Sequence, residues 1–235
     1  MIAENDKLKI VSVMSVPMCG WNPHWGCHLA ATRPFEFADE IVAFGCWWDH
    51  SISNSIEDVL DQGADWILTM DYDSMFTADH LSALMKRFGD NPHIDALAPI
   101  QPRRGDDPTP LMTRGSETSV SFGSEPIEAD TAHFGLTLFR AESFAKMSKP
   151  WFLHEPDKNG SYRSKSRTDP DIYFWRKWKD SGNTLFVDPL VSIGHLQPMV
   201  AEMVRDDSDG FLKTQYIHFM EWRKRSFRVV EEVAA

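Results

Sequence analysis

The chain has 235 residues, of which 42% are hydrophobic and 12% aromatic, a composition typical of a globular protein large enough for one α/β domain. Its 24 basic and 35 acidic residues give a net charge of −11, which argues against a broad nucleic-acid-binding surface because such surfaces need clustered lysine and arginine. The three cysteines do not suggest a disulfide framework. No apolar run reaches the roughly 18–20 residues of a membrane span, and the first residues lack a signal-peptide pattern. These features predict a cytoplasmic protein without a transmembrane segment.

Strand-like and helix-like segments alternate along the chain. In chain order, we predict a strand at residues 9–17, a strand at 41–44, a helix from Ser53 or Ser55 to Gln62, a strand at 65–70, a helix that Thr77 caps and Gly89 follows, and strands at 94–100 and 132–140. A helix at 169–180, strands at 184–187 and 191–193, and a last amphipathic helix at 212–227 complete the series. Residues 101–130 predict a long loop with short strands. The alternation is typical of an α/β domain with a mostly parallel sheet flanked by helices.

Two aspartates directly follow the strand predicted at residues 65–70. The sequence WILTMDYDSMF, residues 66–76, places Asp71 and Asp73 on the turn that leaves the strand. In open α/β sheets, ligands bind beyond the carboxyl ends of the strands, and two carboxylates there can hold a hard divalent cation that also accepts phosphate oxygens. Aspartate is common in plain turns too. The apolar strand before this pair and the capped helix after it favour a metal and diphosphate site.

Three segments, taken in order, resemble the family-2-like glycosyltransferases of the GT-A fold. Residues 63–85 (GADWILTMDYDSMFTADHLSALM) resemble the segment with the D-x-D motif, and residues 133–144 (HFGLTLFRAESF) resemble the glycine-containing strand and helix beside the donor and acceptor pocket. Residues 168–196 (TDPDIYFWRKWKDSGNTLFVDPLVSIGHL) resemble the acidic helix start, helix, strand and Gly-His that close the catalytic domain. The resemblance implies a single domain with a GT-A-type, Rossmann-like sheet.

The resemblance also implies roles for the matching residues. Asp71 and Asp73 would bind Mn²⁺ or Mg²⁺ together with the diphosphate of a UDP- or GDP-sugar, and His195 would add a metal ligand. The acid at the start of the later helix would be the general base of an inverting enzyme, which maps onto Asp171. That helix usually starts with Glu-Asp in the family, whereas here a proline precedes Asp171. Asp169 therefore remains an alternative base.

Residues that contact the nucleotide correspond less directly. The family's base-contacting position at the end of the first strand maps onto Val16 and Pro17, and Asp49 and Asn54 are the polar residues that match after the second strand. The polar segment at residues 199–210 cannot bury enough apolar surface to stay rigid alone, and GT-A enzymes often close a loop over the donor. We expect a lid there, with Arg205 as a phosphate contact; an ordinary linker to the last helix is the alternative.

These expectations combine into one domain organisation and one activity. Residues 1–197 would form the catalytic domain, with 8–100 as the nucleotide-sugar and metal half and 101–197 as the acceptor half, and residues 198–235 would form a C-terminal loop and amphipathic helix. The expected activity is metal-dependent transfer of a sugar from a nucleotide-sugar donor to a hydroxyl of a glycan, small molecule or protein. Two alternatives stay open: a haloacid-dehalogenase-like phosphatase, which also places Asp-x-Asp after a strand, and a catalytically inactive nucleotide-sugar-binding domain.

Overall fold

The described residues form an α/β domain around a central sheet. The computed structural model describes residues 8–16, 22–45, 47–105, 109–115, 122–164, 166–206, 208, 211–219 and 221–222. The strands are β1 (Ile10–Val16), β2 (Asp39–Phe44), β3 (Trp66–Asp71), β4 (Ser74–Met75), β5 (Ala96–Ile100), β6 (Met112–Thr113), β7 (Ile127–Glu128), β8 (Thr131–Ala132), β9 (Leu136–Arg140), β10 (Leu185–Ser192), β11 (Gly194–His195), β12 (Met199–Arg205) and β13 (Leu212–His218). The helices are α1 (Asn22–Thr32), α2 (Trp48–Asp61), α3 (Ala78–Asp90) and α4 (Pro170–Asp180), with a 3₁₀ helix at Ala141–Lys146. No helix among these residues is long and apolar enough to cross a membrane.

The central sheet has the strand order β2-β1-β3-β9-β5-β10-β7. Strands β2, β1 and β3 run parallel to one another, as do β5 and β10. Strand β9 lies antiparallel between β3 and β5, and β7 lies antiparallel beside β10 at the edge. Within the described part of the chain, most strands of this sheet therefore point in one direction. The predicted single α/β domain with a mostly parallel sheet flanked by helices is confirmed.

Each face of the sheet packs against its own apolar cluster. The cluster on one face contains a group of aromatic residues that includes Phe134, Phe139, Phe144, Phe152, Phe174, Trp175 and Trp178. On the other face, α3 buries Leu81, Leu84 and Phe88. Because both faces are covered, the inner strands β1 and β3 are nearly continuous apolar runs instead of alternating ones.

Two helices begin where the sequence predicts. The Oγ1 atom of Thr77 accepts a hydrogen bond from the amide of His80 at 3.4 Å, and Nδ1 of His80 accepts one from the amide of Thr77 at 3.3 Å, which caps α3. Helix α4 begins at Pro170 with Asp169 at the cap position. Proline is favoured at the first helical position because the amide hydrogen that it lacks would have no partner within the helix. Local sequence therefore sets the acidic start of α4.

Other elements differ from the prediction. Helix α2 begins at Trp48 instead of Ser53 or Ser55, and the hydroxyl of Ser53 donates to the carbonyl of Asp49 within the helix instead of capping its start. Trp48 packs edge-on against Phe134 with ring centroids 5.3 Å apart. The two strands predicted at residues 184–187 and 191–193 are one strand, β10, with an irregularity after Asp188. Helix α1 is not among the elements predicted from the sequence.

The prediction for the C-terminal region is wrong in its secondary structure. Residues 199–205 and 212–218, predicted as a loop and the start of a helix, are the paired antiparallel strands β12 and β13. The apolar residues Leu212, Tyr216 and Ile217 have a helix-like spacing, but the pairing of β13 with β12 prevails over it. Of the described residues of the predicted helix, only 219, 221 and 222 are helical, and residues 220 and 223–227 lie outside the described residues. The division into a catalytic domain and a C-terminal region stays a prediction.

Candidate active site

A cleft of about 730 Å³ opens at the carboxyl ends of β1, β3 and β5 and reaches the start of α4. Its lining includes Asp71, Asp73, Asp169, Asp171 and His195. These are the residues that the sequence predicts to hold the metal and perform the chemistry. They come from distant parts of the chain, and the sheet brings them together because the ends of its parallel strands meet at one edge.

Asp71 is the last residue of β3 and is held by neighbouring donors. The hydroxyl of Ser15, at the same level of β1, donates to its Oδ1 at 2.5 Å, and the side chain of Trp48 donates a second hydrogen bond. Burial raises the pKa of the Asp71 carboxyl, and the hydrogen bonds from Ser15 and Trp48 act in the opposite direction. The side chain is therefore fixed in the cleft, where added positive charge would favour its ionised form.

Asp73 follows on the turn and is 6% exposed. The guanidinium group of Arg104 contacts its Oδ2, and the same oxygen lies 3.4 Å from Nε2 of His195. The backbone carbonyl of Asp73 accepts a hydrogen bond from the amide of Leu196 at 2.8 Å. Strand β11 also pairs antiparallel with β4, which places His195 opposite Ser74. The predicted aspartate and histidine are thus brought together by backbone pairing, and their side chains face each other across 3.4 Å.

The tautomer of His195 follows from its hydrogen bond. Its Nδ1 lies 3.0 Å from the carbonyl oxygen of Pro102. A carbonyl only accepts, so Nδ1 carries the proton and the neutral ring presents the lone pair of Nε2 to the cleft. Burial lowers the pKa of the imidazole, which favours this neutral form. A neutral imidazole with its second nitrogen held by a carbonyl is the usual arrangement of a histidine metal ligand.

Glycine and glutamine residues behind the site allow this close packing. The amide Nε2 of Gln101 donates to Ser74 Oγ at 2.9 Å and to the carbonyl of Gly194 at 3.2 Å, which ties β4 to β11. A Cβ atom at Gly135 would lie 2.2 Å from Ser74 Oγ. An alanine at position 135 would therefore force Ser74 or its neighbours to shift, in the segment that resembles the family's glycine-containing strand.

His133 lines the cleft although it was not predicted as a site residue. Its Nε2 lies 2.9 Å from the carbonyl of Pro99, so that nitrogen donates, and its Nδ1 accepts from the amide of Gly135 at 3.0 Å. Burial lowers its pKa to about 4. Both nitrogens are occupied by backbone groups, so His133 positions the start of β9 and has no lone pair left for a ligand. In the sequence, the only sign of this positioning role is that His133 lies two residues before Gly135.

The two aspartates at the start of α4 differ in their surroundings. Asp169 forms a bidentate pair with Arg167, at 2.9 Å from Nε to Oδ1 and 3.2 Å from Nη2 to Oδ2. Asp171 accepts a hydrogen bond from the amide of Ile172 at 2.8 Å. Burial raises the pKa of Asp171, and the negative charge of Asp169 raises it further. Asp171 is therefore more basic than an ordinary aspartate, while the charge of Asp169 is balanced by arginine.

The fold places some of the residues predicted to contact the nucleotide at the cleft and others away from it. Val16 lines the cleft, and Pro17 lies outside the described residues. Asp49 and Asn54 are on α2 away from the cleft lining, where Trp48 and Ser51 of the same helix stand instead. A helix presents neighbouring residues to different sides, and the start of α2 at Trp48 changes which residues face the cleft.

Arg205 also lies outside the cleft lining. It is the exposed last residue of β12 and pairs with Leu212 of β13. Its predicted contact with phosphate would require the β12–β13 hairpin to approach the cleft. The predicted lid at residues 199–210 therefore consists, as far as the chain is described, largely of a paired strand, and its closure over a donor stays a prediction.

The geometry of Asp73 and His195 suits a shared cation. Two ligands on adjacent positions of an octahedral ion, at about 2.1 Å from it, lie about 3 Å from each other, close to the 3.4 Å that separates Asp73 Oδ2 from His195 Nε2. No group of three histidine, cysteine, aspartate or glutamate side chains is gathered as a metal site in the part of the chain that the structure describes. Divalent ions at phosphate-binding sites commonly take one or two carboxylates and complete their shell with water and phosphate oxygens. The donors present fit such an ion.

Known structures share this architecture. The chain superposes on A197 from STIV with a TM-score of 0.56 and 14% identity, over 90% of this chain and 96% of that chain. It superposes on GalNAc-T7, whose crystal structure contains UDP, GalNAc and Mn²⁺, with a TM-score of 0.54 and 11% identity, over 82% of this chain but only 44% of that chain. No protein-family model matches the chain, and a search of curated proteins finds no match. At these identities the likeness concerns the fold, and it confirms the predicted GT-A-type architecture.

Proposed function

We propose that the chain is a metal-dependent glycosyltransferase that moves a sugar from a nucleotide-sugar donor to an acceptor hydroxyl. The observation that carries the proposal is the meeting of Asp73, His195 and Asp171 in one cleft at the carboxyl ends of the strands. Such a transfer requires side chains that can hold a cation, here Asp73 and His195, and a basic carboxylate, here Asp171. The fold shared with GalNAc-T7, which binds UDP, GalNAc and Mn²⁺ in its crystal structure, supports a UDP- or GDP-sugar as the donor.

In this proposal, Asp73 and His195 hold Mn²⁺ or Mg²⁺. When bound, the ion would neutralise the negative charge that develops on the departing diphosphate. The pair is held because β11 pairs with β4 directly after Asp73, the amide of Leu196 donates to the carbonyl of Asp73, and the carbonyl of Pro102 fixes the imidazole of His195. Asp71 adds a second carboxylate beside the pair, held by Ser15. A cation in the cleft would oppose the effect of burial and keep Asp71 ionised.

Asp171 would act as the general base. As the acceptor oxygen bonds to the anomeric carbon of the donor, the hydroxyl proton passes to a carboxylate oxygen of Asp171. The bond from the anomeric carbon to the diphosphate breaks, and its electron pair leaves with the nucleoside diphosphate. Attack from the face opposite the leaving group inverts the configuration. The raised pKa of Asp171 suits this role because a more basic carboxylate takes the proton more readily.

A catalytically inactive nucleotide-sugar-binding domain is the second candidate. The described residues gather two metal-binding side chains at one point instead of three. This candidate binds a nucleotide sugar with a metal and neither transfers nor hydrolyses the sugar. It shares the cleft with the first candidate, so binding alone does not separate the two.

The test has a binding stage and a turnover stage. Thermal unfolding is measured with UDP, GDP and their sugar conjugates, with and without Mn²⁺, because a ligand that binds the native state raises the melting temperature. The sugar conjugate of the nucleotide that raises the melting temperature is then incubated with the protein and Mn²⁺. Release of nucleoside diphosphate is followed with and without compounds that offer an acceptor hydroxyl. A metal-dependent shift together with release supports the transferase. A shift without release supports the binding domain, and the lack of any shift contradicts both.

A further inference from the structure

Arg104 holds the carboxylate that the proposed metal would need. Its guanidinium group contacts Oδ2 of Asp73, the same oxygen that faces Nε2 of His195. Asp73 has little access to water, whereas the Arg104 side chain is 45% exposed along the cleft. A positive group thus contacts the negatively charged member of the donor pair.

The backbone around Arg104 is anchored, while its side chain lies partly exposed along the cleft. The carbonyl of Pro102 accepts from His195, and the amide of Gly105 donates to the side chain of Gln197 at 2.8 Å. These contacts fix the loop on both sides of the arginine. A long side chain on a fixed loop can exchange one anionic partner for another within the same cleft without a backbone movement.

A divalent ion and the guanidinium group compete for Asp73. Two cations that share one carboxylate oxygen repel each other at short range, so an ion that binds Asp73 and His195 displaces Arg104. The diphosphate that the ion recruits then brings the next anionic oxygens into the cleft. Arginine binds phosphate oxygens through paired hydrogen bonds, so the displaced guanidinium group gains a new partner only when the nucleotide is present.

We propose that Arg104 neutralises Asp73 in the empty site and transfers to the nucleotide diphosphate when metal and nucleotide bind, which couples the two binding events. The inference rests on the proposed metal–diphosphate site. When the metal binds alone, it breaks the ion pair between Arg104 and Asp73, and Arg104 gains no new anionic partner. When metal and nucleotide bind together, Arg104 exchanges Asp73 for a phosphate oxygen. Each ligand therefore strengthens the binding of the other by the same factor.

Mn²⁺ binding to the full chain, followed by electron paramagnetic resonance, tests this coupling. The variants are Arg104→Met and the matched control Arg103→Met, which removes the same charge from the same loop but leaves the Asp73 contact. Without nucleotide, we expect Arg104→Met to bind Mn²⁺ about fivefold more tightly than the control, the scale of a partly exposed ion pair. With saturating UDP or GDP, the factor by which the nucleotide tightens Mn²⁺ binding should be about tenfold smaller in Arg104→Met than in the control.

The outcomes separate this inference from the proposed function. Equal Mn²⁺ affinities and equal nucleotide factors in the two variants overturn the role of Arg104. If neither UDP nor GDP binds the unaltered chain with Mn²⁺, the proposed function fails, and the nucleotide part of this inference fails with it. Melting temperatures of both variants within a few degrees of the unaltered chain confirm that the comparison concerns folded protein.

Discussion

The carbonyl oxygen of Pro102 lies 3.0 Å from Nδ1 of His195 and thereby directs the lone pair of Nε2 at Asp73. This backbone contact links the loop after β5 to the strand that follows β10. In the neutral imidazole it sets which ring nitrogen carries the proton, at the position where the proposed cation would bind. The arrangement makes the metal affinity of the site dependent on one tautomer.

Replacing His195 by alanine should weaken Mn²⁺-dependent nucleotide binding by at least about tenfold. Losing even a residue that supports a metal ligand costs about that much, and His195 would be the ligand itself. The measurement is calorimetry with UDP or GDP in the presence of Mn²⁺. His50→Ala, an exposed histidine on α2, is the control and should bind as the unaltered chain does. Unchanged affinity in His195→Ala would remove the residue from the site.

The pH dependence of metal binding follows from the same residue. A metal ligand must have a neutral imidazole, and burial holds the pKa of His195 below the ordinary histidine value of 6.5. We therefore expect Mn²⁺ affinity to be fully present at neutral pH and to fall only as the pH drops through the lowered pKa. A titration by electron paramagnetic resonance measures it, and an affinity already halved above pH 6.5 would contradict the assignment.

Asp73→Asn should retain the fold and lose metal-dependent nucleotide binding, because the amide removes the anionic oxygen that faces His195. Calorimetry with Mn²⁺ and UDP or GDP measures the loss. Asp79→Asn changes an exposed aspartate in the first turn of α3 and serves as the control. Equal nucleotide affinity in Asp73→Asn and the control would show that the carboxylate is not a ligand.

Asp171→Asn should lower the rate of sugar transfer by a factor of about 10²–10⁴, the usual scale for a general base, with nearly unchanged nucleotide affinity. Asp169→Asn is the matched variant, and its effect should be smaller because that carboxylate is paired with Arg167. Steady-state kinetics with donor and acceptor measure both. A larger loss in Asp169→Asn would assign the base to that residue, and an unaffected Asp171→Asn would indicate a retaining reaction.

His133 should make the stability of the fold depend on pH. Its pKa is about 4 in the folded chain, whereas the ordinary value for histidine is 6.5, so the unfolded chain binds the proton first. The stabilising contribution is complete above pH 6.5 and is lost as the pH falls towards 4, at about 1.4 kcal/mol per pH unit. Urea unfolding of the unaltered chain and of His133→Gln measures the difference. Parallel pH profiles for the two proteins would contradict it.

Gly135→Ala should destabilise the fold by about 1–3 kcal/mol, as overpacking does, because the added Cβ would lie 2.2 Å from Ser74 Oγ. Gly26→Ala is the control: it lies within α1 with nothing within 4 Å of the added atom, and alanine is favoured over glycine in a helix. Urea unfolding measures both. A neutral Gly135→Ala would mean that β4 can move away from β9.

The sequence predicted the elements whose signals are local and missed those decided by distant contacts. Thr77 and Pro170 mark helix starts through interactions within a few residues, so both predictions are confirmed. The strand β13 shows the limit, since its pairing with β12 prevails over a helix-like spacing of apolar residues. The contact of Arg104 with Asp73 depends on the path of the loop after β5, which no local pattern describes.

The position of β9 has a consequence for how the chain is made. Strand β9 follows β5 in the chain but lies between β3 and β5 in the sheet, and β4 finds its partner only when β11 is present. A growing chain that ends before residue 136 therefore has no partner for the inner edges of β3 and β5, and unpaired apolar strands are prone to association. Folding must wait for contacts between distant segments, which are slow to form. We expect this protein to need protection from aggregation during synthesis until its last sheet strands have emerged.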